Sequence, residues 1–284
     1  MTLRRWPQRA VMRRWLIGLA VLWGVSKVVS PAGSGASPAP DANALVRRMM
    51  RLYQTATTIQ ESTEAKIVTR GEGTYIQTST LKYKAPNRIA ISTQDPHSGT
   101  VTAYADGKVV TVFSGRQNVF TRRNAKPTFA ESLTTIDRAT EDMMGGRVFQ
   151  ILNPLSILLS KETLREAKNF RFVGAEMING RNTSRVAGQV ELDWMRLVFG
   201  DPRLTPVQRD VTLWIDNSNG LLVKAALRLA WTTNIVVQGK PAKAAGGFSF
   251  EEVHRGTLLN GTLSDEEFRF SPPKGALQLF QQRK

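Results

Sequence analysis

The chain has 284 residues, with 39 Lys and Arg against 23 Asp and Glu for a net charge of +16, 41% hydrophobic residues and no cysteine. This is a globular composition, and the missing thiol excludes zinc knuckles, iron–sulfur clusters, cysteine nucleophiles and disulfide frameworks. Two histidines, His97 and His254, are too few for the usual multi-histidine zinc sites, so any metal would rest on carboxylates almost alone.

Residues 1–36 have the layout of a signal peptide. Arg4, Arg5, Arg9, Arg13 and Arg14 precede an apolar run from Trp15 to Val25 of eleven residues, about half of the ~20 that a membrane-spanning helix requires. Ser34 and Ala36 supply small residues ahead of cleavage before Ser37. Export to the periplasm by the general secretory route is the expectation, with an uncleaved inner-membrane anchor as the alternative. Residues 37–40, Ser-Pro-Ala-Pro, read as a linker, and residues 41–284 as the folded domain. Six basic residues lie in the first 36, leaving 33 against 23 acids, or +10. That excess suits an anionic membrane surface. Basic and aromatic residues are not interleaved in a compact run, which argues against nucleic acid.

Asp41 is placed to cap a helix with Leu45, Met49, Leu52 and Tyr53 at helical spacing. Short segments with alternating or β-branched character follow: 81–84, 88–92, 101–105 and 109–113. Thr128-Phe-Ala-Glu131 has capping-box spacing and opens a second helix through Leu133, Ile136 and Met143 or Met144. Asn153-Pro154 starts another, with Leu155, Leu158 and Leu159 on one face. Strands resume at 211–216, 222–232, 248–253 and 267–270. Asp106-Gly107, Asn179-Gly180, Asn219-Gly220 and Asn260-Gly261 are tight-turn signals. No βαβ rhythm is present, so the pattern predicts one domain: an opening helix, a long antiparallel sheet and a central helical insertion.

Catalytic constellations are not found. Gly-x-Ser-x-Gly, a Walker loop and a dinucleotide fingerprint are missing. Ser271-Pro-Pro-Lys274 matches Ser-x-x-Lys in letters, but two prolines resist the helical turn that brings Lys to Ser. Asp216 to Gly220 reads as a turn rather than a calcium loop. The acid groups Glu141-Asp142, Glu251-Glu252 and Asp265-Glu266-Glu267 read as solvated surface, His97 as a loop residue and His254 as a polar strand end. What remains is apolar surface at period two: Leu81 and Tyr83; Ile89 and Ile91; Val211, Leu213 and Ile215; Val223, Ala225, Leu227, Leu229 and Trp231. These rows describe either an ordinary core or the lining of a cavity that the Leu155–Leu159 helix covers.

The run Glu267-Phe-Arg-Phe-Ser-Pro-Pro-Lys-Gly-Ala276 resembles the closing strand of the LolA-type lipoprotein-carrier superfamily, Phe-x-Phe-x-Pro-Pro-x-Gly. The opening helix with Tyr53, the Lys84-Ala-Pro86 strand end, the Asp106-Gly107 hairpin and Leu213-Trp-Ile-Asp216 with Asn219-Gly-Leu221 fit in order. The resemblance covers roughly residues 41–280. It implies a mainly β (α+β) fold, a half-open antiparallel β-barrel with helices plugging the opening, and an apolar cavity for acyl chains. Carried onto this sequence, Tyr83, Ile89, Ile91, Leu213, Ile215, Leu227 and Trp231 become the lining, and Leu155, Leu158 and Leu159 the lid. The implied function is a monomeric periplasmic carrier of a lipid or acylated lipoprotein, without enzymatic activity or cofactor. The alternative is an envelope-sensing regulator or assembly factor with a membrane-bound protein partner. Where LolA proper has Arg before the strand-end Pro, this sequence has Ala85, and it carries additional residues around 193–209 and 238–247. Both features point to a divergent relative rather than LolA itself.

Overall fold

The structure is a computed structural model and describes residues 40–69, 73–96, 98–144, 169–189, 205–237 and 240–279. Residues 39–284 form one compact unit. It opens with α1 (Ala42–Thr55), whose N-terminus is closed by the Asp41 carboxylate accepting from the amides of Asn43 and Ala44 at 2.9 and 3.2 Å. The buried face comprises Ala42, Val46, Met49, Met50 and Tyr53. Leu45 and Leu52, expected on that face, are half-buried. Leu52 lies instead at the edge of the helix against Gly220.

Six strands follow as a meander: β1 (Thr58–Thr69), β2 (Gly73–Lys84), β3 (Arg88–Asp95), β4 (Gly99–Asp106), β5 (Val109–Ser114) and β6 (Val119–Asn124). Helix α2 (Phe129–Met144) comes next and packs on β5 and β6. It begins with the expected capping box: the Glu131 amide donates to Thr128 Oγ1, and Glu131 Oε2 accepts from the Thr128 amide. A second meander holds β7 (Arg171–Ile178), β8 (Arg181–Gln189), β9 (Thr205–Asp216), β10 (Leu222–Val237) and β11 (Lys240–Leu259). The two-residue β12 (Leu277–Gln278) closes the series.

All twelve strands join one unclosed sheet in the order β12-β6-β5-β4-β3-β2-β1-β11-β10-β9-β8-β7. The two meanders therefore meet where β1 pairs antiparallel with β11. Alternation turns one side of the strands inward, where the main core gathers Ile59, Ile67, Ile89, Ile136, Leu213, Ile215, Leu227 and Phe250. The opposite, convex side carries Trp214, whose Nε1 donates to Glu176 Oε2 at 2.8 Å under the Lys224 ammonium.

The C-terminal motif does not form the strand expected over 267–270. Asp265–Phe268 is a 3-10 turn, with Glu267 Oε2 accepting from the Ser264 amide at 2.8 Å. The turn starts a strap over the convex face. Phe268 is fully buried, and Phe270 sits among Tyr104, Phe113 and Phe120 at centroid distances of 5.3–5.8 Å. Lys82 pairs with Glu267 at 2.6 Å, and Lys84 and Arg88 share Asp265 at 2.7 and 2.5 Å. The strap ends as β12, parallel to β6. Among the described residues no helix is long and apolar enough to cross a membrane.

Candidate functional site on the inner face of the sheet

The expected lining residues fall into two groups on the inner face. In the first meander Tyr83 lies directly opposite Ile89, with Ile91 one pleat further along. Ile89 and Ile91 are buried; Tyr83 is half-buried, its ring edge-on to Phe129 at 4.8 Å. In the second meander Leu213, Ile215 and Leu227 are buried in the same core. Trp231 is half-buried and lies across its register partner Gly246, where a Cβ would stand 2.5 Å from the indole. Leu155, Leu158 and Leu159 lie outside the described residues.

Between these two apolar groups, on β1 and β11, the inner face turns polar. Glu61, Glu252, His254 and Thr257 are all buried, as is Gln77 on β2. A β-bulge is responsible for the convergence. Between Gln60 and Ser62 the register with β11 shifts by one residue, and Gly256 takes φ of 64°. The inward side chains on either side of the bulge, His254 and Thr257, thereby reach one oxygen: His254 Nδ1 and Thr257 Oγ1 each lie 2.7 Å from Glu61 Oε1. The other His254 nitrogen, Nε2, is 3.4 Å from Glu252 Oε2. The Tyr53 hydroxyl accepts from the Leu222 amide at 3.3 Å.

Electrostatics within this cluster follow from its dryness. Burial alone would push His254 down, but the Glu61 carboxylate and then Glu252 outweigh it and raise it to about 9. Burial pushes Glu252 up to about 8, against the pull of His254. Both members of the His254–Glu252 pair thus hold their protons more tightly than the free side chains do. Burial, and then the Glu61 charge, raises the Tyr53 hydroxyl above the ordinary phenol range. Among the described residues no group of three or more His, Asp or Glu is placed to hold a metal.

A model of the family described as "Predicted periplasmic protein (DUF2092)" matches residues 42–280. The chain belongs to this family. No curated protein matches it. Among solved structures it is similar to the lipoprotein LppX of Mycobacterium tuberculosis, at 13% identity over 78% of this chain and 97% of that one, with a TM-score of 0.42. It is also similar to LprF of Mycobacterium bovis, at 13% identity over 85% and 100% with a TM-score of 0.43. A further similarity is to a LolA superfamily protein of Nitrosomonas europaea, at 11% identity over 82% and 99% with a TM-score of 0.31.

In this DUF2092 protein two residues read from sequence as surface are interior. Glu252, expected to be solvated beside Glu251, is buried, while Glu251 faces out and pairs with Lys224 at 2.8 Å. His254 is likewise an inner-face residue rather than a strand end. The signal that locates them is phase. Glu61 alternates in step with Ile59, Ala65 and Ile67, and Glu252 and His254 in step with Phe248 and Phe250. Two clefts, of about 320 and 330 Å³, are lined mainly by polar residues, and the expected apolar lining residues are in neither. The second reaches His254 and Arg181 beside the bulge.

Proposed function

We propose that the protein is an exported, non-enzymatic carrier that shelters the acyl part of a lipid or lipoprotein against the inner face of its half-barrel. Tyr83, Ile89, Ile91, Leu213, Ile215, Leu227 and Trp231 would form the lining, with Leu155, Leu158 and Leu159 as the lid. The observation that carries this reading is an unclosed twelve-strand sheet that presents a single inner face holding two apolar groups, one in each meander. Each acyl methylene moved from water contributes about 0.8 kcal/mol, so half a chain offsets the cost of displacing the cover. A periplasmic location agrees with the family. The charge of +10 beyond the signal segment would favour approach to an anionic membrane surface.

The test is to purify the exported chain without detergent and compare native with denaturing mass spectra. A lipid released on denaturation supports the carrier, and Leu158→Asp then abolishes its uptake while the fold persists. Equal loading of wild type and variant overturns the lid. An N-terminus at Ser37 in the exported protein establishes signal cleavage.

A second reading is favoured by a different observation. Edge strand β7 exposes Val173 and Met177, the latter 65% accessible, and β9 exposes Val207. Such an edge suits a membrane-bound protein partner. Salt-sensitive co-purification of one envelope protein, lost in Met177→Lys, supports the regulator; unchanged co-purification in that variant removes the edge from consideration.

A further inference from the structure

Four of the six buried side-chain atoms that lack a hydrogen-bond partner among the described residues sit together on the inner face: Glu61 Oε2, Gln77 Oε1, Glu252 Oε2 and His254 Nε2. Buried polar atoms are almost always paired, so a cluster of exceptions points to an occupant. The strand register places these groups. Gln77, Ala65, Glu252 and Ala225 lie side by side across β2, β1, β11 and β10, so each long polar side chain is flanked by an alanine. The neighbouring row is Tyr75, Ile67, Phe250 and Leu227, all large and apolar. The polar belt thus crosses the half-barrel beside a surface suited to hydrocarbon.

The atoms also specify the chemistry. Glu61 Oε2 and Gln77 Oε1 accept, whereas Glu252, whose proton burial holds up to about 8, can donate one hydrogen bond below that pH and only accepts above it. The unpartnered donor of the cluster, His254 Nε2, already faces Glu252 at 3.4 Å. A phosphate or carboxylate would meet two carboxyl groups and too few donors. We propose that this belt binds the hydrogen-bond-donating end, a hydroxyl or primary ammonium group, of the amphiphile held in the half-barrel. The inference rests on the carrier reading and adds the polar end of the ligand to it. Buried water is the competing occupant, since it too can satisfy two to four such groups.

The test titrates the exported chain, stripped of bound lipid, with dodecanol, dodecylamine and dodecanoate, which share one chain and differ in the polar end. The expected result is at least tenfold tighter binding of the alcohol and the amine than of the acid. In Gln77→Met and in Glu61→Gln that preference shrinks at least threefold while dodecanoate binding is unchanged. Gln77→Met removes a half-satisfied polar group without creating a cavity, so it keeps the test decisive if Glu61→Gln fails to fold. Equal binding of all three probes overturns the proposal, leaves water as the occupant of the belt and leaves the carrier reading intact. A preference that neither variant changes overturns the placement of the polar end. Binding of none of the three overturns the carrier reading, and this inference with it.

Discussion

On the convex face Lys82, Lys84 and Arg88 meet Glu267 and Asp265 with side chains about a third to a half exposed, whereas on the inner face Glu61, His254 and Glu252 meet with essentially no exposure. The same type of contact has opposite consequences in the two places. Water screens the strap pairs, so what holds the strap is the burial of Phe268, with the ions fixing its register. Inside, no water compensates a lost partner, so removing one group strands the others. The two regions also respond to pH with opposite sign. The Lys82 and Lys84 ammonium groups, each donating directly to an acid, hold Glu267 and Asp265 below the usual carboxylate range, whereas His254 and Glu252 are raised.

The comparison breaks first at Phe268. Phe268→Ala should cost about 3–5 kcal/mol, measured by denaturant unfolding. A loss under ~1 kcal/mol would show that the strap carries no second core. Glu61→Gln comes next, at about 1–3 kcal/mol. It should also lower the His254 pKa, which NMR can follow because the chain has only two histidines. An unmoved His254 titration would mean that Glu61 is not its counter-charge.

A graded effect appears with pH. Both His254 and Glu252 bind their protons more tightly in the folded state than when unfolded, so the stability they supply is complete in acid. That of Glu252 is lost as pH rises from about 4.5 through about 8, and that of His254 from about 6.5 through about 9. The Tm should fall over that window, and the fall should shrink in His254→Gln. The strap acids act the other way, losing their contribution below the ordinary carboxylate range. The smallest effect belongs to Asp265→Asn, a slight drop in Tm at low ionic strength that disappears in high salt. A large, salt-insensitive drop would place the strap ions in the same class as the interior ones.

Local chemistry made much of the fold legible. Asp41 and Thr128 cap the two helices as their positions predict, and Asn179-Gly180 and Asp106-Gly107 turn the hairpins β7–β8 and β4–β5. Asn179 and Gly180 both take positive φ, as such a turn demands. Strand β1 is less visible because its inward positions include Glu61 and Thr63, which blunt the alternation. The aromatic motif at 268–270 carries strand-like residues, yet burial of Phe268 seats the segment as a turn, and the three consecutive acids ahead of it meet Lys82, Lys84, Arg88 and Arg269 and fix its register. The interior cluster shows the limit of pattern alone. Phase places Glu252 and His254 on the same side as Phe250, but the side that closes is decided by the pairing of β1 with β11, far apart in the chain.

That pairing also orders events in time. A chain delivered to the periplasm N-terminus first, as the export reading has it, presents β1 and β2 before β11 follows. Until then β1 is an unpaired edge twelve residues long, the kind of strand that recruits a foreign chain. Its outward side shows Glu64 and Lys66, and its inward side interrupts the apolar row with a charge at Glu61. An inward-pointing charge is a poor match for any partner except one that brings a counter-ion, and β11 brings His254. The carboxylate that burdens the finished interior thus restricts what the waiting edge can accept.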